Sequence, residues 1–134
     1  MPEYTLASEQ ETCRLAEKLA RYRSAGTVVA LSGGLGAGKS VFARAYIRAL
    51  CGADTEVPSP TFTLVQRYAI PAWQEASAAA AVYHFDLYRL ESAEEVWELG
   101  LEDALAEGVC LIEWPEIMAH FLPESYLGVT LSDV

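Results

Sequence analysis

The chain has 134 residues and a mass of 14.6 kDa, one domain's worth at a prior of ~150 residues per domain, so a single domain spanning residues 1–134 is expected and a second independent one is not. A hydrophobic content of 52% against 21% charged residues, with mean hydropathy +0.16, supplies one core and excludes disorder. Nine Lys+Arg against 19 Asp+Glu leave a net charge of −10, which opposes autonomous binding to nucleic acid or to an anionic membrane, so any service to RNA would run through a partner.

In chain order, Ser8 and Glu11 form a capping box ahead of a first helix, in which Thr12, Leu15, Ala16, Leu19 and Tyr22 recur at helical spacing and which Gly26 ends. Thr27–Leu31 is short, apolar and β-branched at its start, the pattern of a strand buried on both faces. A Gly-rich break over Ser32–Gly38 separates it from a second helix, where Val41/Phe42, Ala45/Tyr46 and Ala49/Leu50 repeat every fourth residue up to Gly52. Two prolines in Glu56–Thr63 hold Val57 and Ser59 extended, so this stretch reads as an ordered loop. Thr63–Ile70 and Ala81–Leu87 predict two strands able to form a hairpin, joined by an Ala/Ser-rich connection over Pro71–Ala80 expected to be mobile. Ser92, with Glu95 three residues on, begins a helix through Leu99; Gly100 interrupts it before Leu101–Ala106. Val109–Ile112 is a continuous apolar run closed by Glu113, Pro115 starts a short helix, and Tyr126–Leu131 predicts a last strand. Cys13, Cys51 and Cys110 are odd in number and form no C-x-x-C pair, so they read as thiols in a reducing compartment. Lacking a basic, apolar leader or a run near the ~20 residues that span a bilayer, the chain is expected to be cytoplasmic with no membrane partner.

Gly33, Gly38, Lys39 and Ser40 satisfy G-x-x-x-x-G-K-[ST] between a buried strand and a helix, the setting of a phosphate-binding P-loop. The glycines let the backbone wrap a phosphate with N–H groups inward, the helix N-terminus adds partial positive charge, and Lys39 adds a full one. The expected binding set is Gly33, Gly34, Leu35, Gly36, Ala37, Gly38, Lys39, Ser40 and Val41, with the Ser40 hydroxyl toward Mg²⁺. Screening over a Debye length of ~8 Å lets this local chemistry override the acidic total. The chain contains no asparagine, so the N-K-x-D reader of guanine is absent and ATP is the default nucleotide.

A P-loop also needs an acid for the metal and a group to orient the attacking water. Glu113 closes VCLIE, the run most like a buried strand; Asp86 closes VYHFD, which alternates and is compatible with a half-exposed strand. Both are candidates for the metal and for catalysis at one sheet edge. Thr61, following Ser59 and Pro60, is placed where a switch-like loop can swing over a γ-phosphate and offer a hydroxyl to the metal. His84 reads as a packed or hydrogen-bonded strand residue, Trp114 as a core or cleft aromatic, and Arg89 as an ion-pair partner.

The segments LSGGLGAGKS (Leu31–Ser40), PSPTFTLVQRY (Pro58–Tyr68), YHFDLYRL (Tyr83–Leu90), ELGLED (Glu98–Asp103) and LIEWPE (Leu111–Glu116), in this order in so short a chain, resemble the bacterial TsaE (formerly YjeE) family of small P-loop ATPases. That resemblance implies a P-loop α/β fold with a mostly parallel sheet, ATP and Mg²⁺ binding, and weak hydrolysis. It also implies partnership with TsaB and TsaD in threonylcarbamoyladenosine modification of tRNA adenosine 37, TsaD transferring the group and tRNA being met only through the complex. It puts the Walker B-like acid at Asp86 and makes Glu113 a further metal or catalytic residue. Departures from the family pattern are Gly34 in place of Asp, Ser40 in place of Thr, and an end at Val134 where relatives continue through another strand. Two other classes compete. A small-molecule kinase would need an arginine-bearing lid, and beyond the P-loop helix only Arg67 and Arg89 are available. A nucleotide-gated binding module would use the same loop without required turnover.

Overall fold

The computed structural model describes residues 9–21, 26–33, 38–58, 64–71, 79–121 and 126–131, the last three residues before 122 by backbone only. Ser8 of the first capping box, most of the Pro71–Ala80 connection, and Thr61 lie outside them. The described elements are α1 (Glu9–Leu19), β1 (Val28–Ser32), α2 (Lys39–Cys51), β2 (Val65–Ala69), β3 (Ala81–Asp86), α3 (Glu94–Glu98), α4 (Leu101–Glu107), β4 (Val109–Glu113), a 3-10 segment (Pro115–Phe121) and β5 (Leu127–Thr130).

The strands form one five-stranded sheet in the order β2-β3-β4-β1-β5. β1 runs parallel to β4 and β5, and β3 parallel to β4, while β2 is antiparallel to β3. The β2/β3 pair is the expected hairpin, with Val65 opposite Phe85 and Ala69 opposite Ala81. Every residue of β4 is buried, as a strand lying between two parallel neighbours and covered on both faces must be. β3 departs from its reading. The alternation of VYHFD is compatible with a half-exposed strand, yet all of β3 except Tyr83 is buried, because the hairpin partner covers its outer edge and helices cover both faces.

Strand parity divides the core in two. On one face Val29, Leu31, Val82, Val109 and Leu111 meet Ala16 and Ala20 of the first helical segment and Phe42, Ala43, Tyr46, Ile47 and Leu50 of α2. On the other, Val28, Phe85, Cys110 and Ile112 meet Val96, Leu101, Ala104 and Met118. Each fully buried Leu, Ile or Phe here contributes about 1.5–3 kcal/mol. The helix read over Ser92–Leu99 is shorter in the fold, Glu94–Glu98. The acid expected to cap its start does so, Glu95 Oε2 accepting from the Ser92 N–H group at 3.1 Å and from the Glu91 N–H group at 2.8 Å. Gly108, between α4 and β4, passes so close to β3 that a Cβ there would stand 2.0 Å from the Ala81 carbonyl oxygen. Among the described residues no helix is long and apolar enough to cross a membrane.

Candidate functional site

The carboxyl ends of β1, β3 and β4 lie side by side, with Leu31 in register with Glu113 and Glu113 in register with Asp86. This is the edge of an open α/β sheet where ligands bind. β1 delivers its chain at this edge into the Gly-rich loop, Gly33 at φ 142°, and α2 begins after Gly38 at φ 100°, ψ 8°. An L side chain is strained at that φ, and a Cβ on Gly38 would meet no atom of the described residues within 4 Å, so glycine here serves the left-handed backbone and not a close approach among those residues.

The first turn of α2 contains no acidic residue and its N-cap makes no side-chain hydrogen bond. By contrast α1, α3 and α4 each carry acids in the first turn. The positive end of the α2 dipole therefore meets no acid of its own first turn, a setting that favours an anion from outside the helix. Lys39 is 5% exposed; its ammonium donates to the Gly33 carbonyl and stands 4.1 Å from the centre of the Trp114 ring, a cation–π contact. Ser40 is exposed at the helix start. Val41 is half-buried and its side chain lines a groove of about 700 Å³ between α1 and α2, so only its backbone belongs to the loop end of the helix. Gly34, Leu35, Gly36 and Ala37 lie outside the described residues.

Asp86 and Glu113 are 7% and 5% exposed. As register partners on adjacent parallel strands they leave the sheet on the same face, together with His84, two residues before Asp86. That face is the one covered by α1 and α2, which brings both carboxyl groups toward the start of α2. Asp86 Oδ1 accepts the Tyr88 backbone N–H at 3.1 Å, turning the chain sharply at the strand end. Glu113 Oε2 lies 2.6 Å from His84 Nε2. Trp114 has φ 60°, a strained value for a bulky residue costing about 1–3 kcal/mol. Its ring meets Tyr88 at 4.9 Å and 43° as well as the Lys39 ammonium. Trp114 is therefore a cleft aromatic, as read, while Arg89 is exposed on the turn after β3.

Of the residues expected at the site, the fold brings Gly33, Gly38, Lys39, Ser40, Asp86 and Glu113 to one sheet edge; Thr61 lies outside the described residues. Missed from sequence were the His84–Glu113 contact and the Trp114–Lys39 contact, both between residues remote in the chain. The shared parity of His84 and Asp86 was the one available sign of the former. Among the described residues no group of three or more His, Cys, Asp or Glu side chains assembles as a metal cage. The oxygen donors at hand are a hydroxyl and two carboxyl groups, the sparse set on which Mg²⁺ is held when phosphate oxygens and water complete its shell. Left-handed glycines, an unneutralised helix start, a buried lysine and two buried acids thus fit a magnesium–nucleotide.

The family model described as threonylcarbamoyl adenosine biosynthesis protein TsaE matches residues 6–134. The chain belongs to the TsaE family. It is 44% identical over 128 residues to the tRNA threonylcarbamoyladenosine biosynthesis protein TsaE of Rickettsia conorii, covering 96% of this chain and 69% of that protein. To the TsaE of Bacillus subtilis it is 34% identical over 123 residues, 91% of this chain and 72% of that one. The crystal structure of Bacillus subtilis YdiB superposes with a TM-score of 0.74 at 28% identity, covering 96% of this chain and 74% of that chain. The TsaE P-loop fold is consistent with nucleotide binding. Three of the segments that carry the TsaE resemblance, Leu31–Ser40, Tyr83–Leu90 and Leu111–Glu116, meet at the edge just described.

Proposed function

We propose that this TsaE-family chain serves tRNA threonylcarbamoyladenosine biosynthesis as an ATP-hydrolysing accessory of a TsaB–TsaD complex. Residues 1–134 act as one cytoplasmic ATPase domain that meets tRNA only through its partners. The observation that carries this reading is the convergence of the buried Lys39 at the start of α2 with Asp86 and Glu113 at the ends of β3 and β4.

In this reading Lys39 leaves the Gly33 carbonyl and the Trp114 face to neutralise phosphate charge, and the α2 N–H groups hold the same phosphates. Mg²⁺ supplies charge neutralisation at the phosphate oxygens when bound. Ser40 and Asp86 are the residues to hold that ion. Glu113 Oε2 faces His84, so Oε1 is the oxygen left to hold and orient a water. Thr61 contributes a hydroxyl that responds to the γ-phosphate and so changes the surface offered to the partners. The charge of −10 supports the dependence on partners for contact with tRNA.

The test is a reconstituted modification reaction with TsaB, TsaD and tRNA, its nucleosides followed by mass spectrometry over several turnovers. Lys39→Ala should weaken nucleotide binding ~10- to 100-fold through loss of a charge-assisted contact and stop multi-turnover accumulation. Equal product with wild type, with Lys39→Ala and with the protein omitted would overturn the assignment.

A further inference from the structure

His84 is an ionisable residue in the middle of the sheet, 2% exposed, on a strand whose other inward residue at this end is Asp86. Its register partner is Leu111, one pleat behind the Asp86/Glu113 pair. To reach His84, the Glu113 side chain must lean back from the sheet edge toward the interior, where the two side chains are only 3% and 6% exposed. At 2.6 Å the contact is a short hydrogen bond of the charge-assisted kind. The other ring nitrogen, Nδ1, is buried and has no hydrogen-bond partner among the described residues.

That orphan atom decides the direction of the bond. With the proton on Nε2, the imidazole donates to Glu113 Oε2 and Nδ1 is left as a bare lone pair. With the proton on Nδ1, Glu113 would have to donate and an N–H group would be buried unpaired, the costlier arrangement. His84 is therefore the donor and the Glu113 carboxylate the acceptor.

We propose that His84 is a positioning residue for ATP hydrolysis: its Nε2–H holds Glu113 Oε2 and thereby presents Oε1 at the P-loop edge. It touches neither nucleotide nor metal and acts only through Glu113, so this role rests on the hydrolytic reading above. A glutamate at a strand end has three rotatable side-chain bonds, and a buried donor on one oxygen removes most of that freedom before any ligand arrives.

Two measurements on the full chain test this. The sequence holds just two histidines, so in ¹⁵N-histidine-labelled protein at neutral pH the signals lost in His84→Gln identify the ring. A protonated Nε2 with a bare Nδ1 is expected, and Glu113→Gln should shift the Nε2–H resonance; a ring protonated on Nδ1 alone overturns the proposal. In steady-state ATPase assays with TsaB and TsaD, His84→Leu should lower kcat ~10- to 100-fold, the usual cost of losing such a supporting contact, with nucleotide affinity held within ~3-fold. His84→Gln, whose side-chain amide can donate from nearly the same place, should return kcat to within ~5-fold of wild type. Wild-type turnover in His84→Leu overturns the proposal, and so do equal losses in His84→Leu and His84→Gln when both fold by circular dichroism. A wild-type protein that hydrolyses no ATP with its partners removes the hydrolytic reading and the role with it, while the nitrogen spectrum still reports the hydrogen bond separately.

Discussion

Asp86 and Glu113 look equivalent in composition and differ in what holds them. Asp86 is anchored at one oxygen by the Tyr88 backbone N–H across a tight turn, and its short side chain leaves it little reach beyond the end of β3. Glu113 has the longer reach and is restrained by His84. Under the proposed function, this division assigns Asp86 to the ion and Glu113 to the water, both most needed when charge develops in the transition state. Asp86→Asn and Glu113→Gln should each reduce partner-stimulated hydrolysis by ~10²-fold or more while nucleotide affinity changes by less than ~5-fold. Stopped-flow binding beside steady-state phosphate release separates the two quantities, and normal hydrolysis by both variants would refute the assigned roles.

At the scale of elements, the hairpin and the α4–β4 connection are held together in two different ways. Where Gly108 passes the Ala81 carbonyl there is no room for a side chain, and the obstacle is backbone of an interior strand that cannot swing aside. Gly108→Ala should cost about 1–3 kcal/mol as overpacking, seen as a lowered Tm in thermal unfolding. On the surface, Arg67 of β2 pairs with Glu107 at the end of α4 and its Nε lies 3.2 Å from the Tyr83 hydroxyl of β3. Hydrogen bonds from the Arg67 guanidinium first, and then from Tyr83, hold the Glu107 carboxyl below the usual carboxylate range. A depressed carboxylate stabilises the fold above its unfolded value and loses that contribution as acid passes through the folded one. The Tm difference between wild type and Glu107→Gln should therefore be fully present above pH ~5 and fade below pH ~4. A difference that grows in acid would contradict the pairing. Being exposed, the pair fastens the edge strand more than it stabilises the whole.

For the molecule as a whole, a two-faced core keeps the middle of the sheet closed to reagents. Cys110, in the middle of β4, has its thiol pushed up to about 12 by burial, and Cys51 is pushed up to about 11 for the same reason. Neither forms thiolate readily at neutral pH, and Cys110 is further shut in by the layer of α3 and α4 on its face of the sheet. Alkylation of Cys110 should therefore track global opening, slowed at least ~10³-fold relative to unfolded chain for a domain of ordinary stability. Peptide mass mapping after timed labelling measures this, and Cys110 reacting as fast as the half-buried Cys13 would show that β4 opens locally.

The sequence by itself determined whatever depends on neighbours along the chain. Glycine spacing around Lys39 and the strand before it specify a phosphate loop because left-handed backbone and a helix start are local properties. The absence of acids in the first turn of α2 is equally local, and so is the β2/β3 hairpin, whose strands are consecutive. Only the tertiary structure decided what depends on register between strands far apart. Asp86 and Glu113 are 27 positions apart in numbering and become neighbours because β3 and β4 pair in parallel. The same pairing sets His84 behind Glu113, and the left-handed turn at Trp114 lays its ring on Lys39. A one-residue slip in that register would send every side chain of β3 to the opposite face. No property of the segment YHFDLYRL taken alone says which face meets α2, and that choice, made by burial across the whole sheet, turns two separate acids into one site.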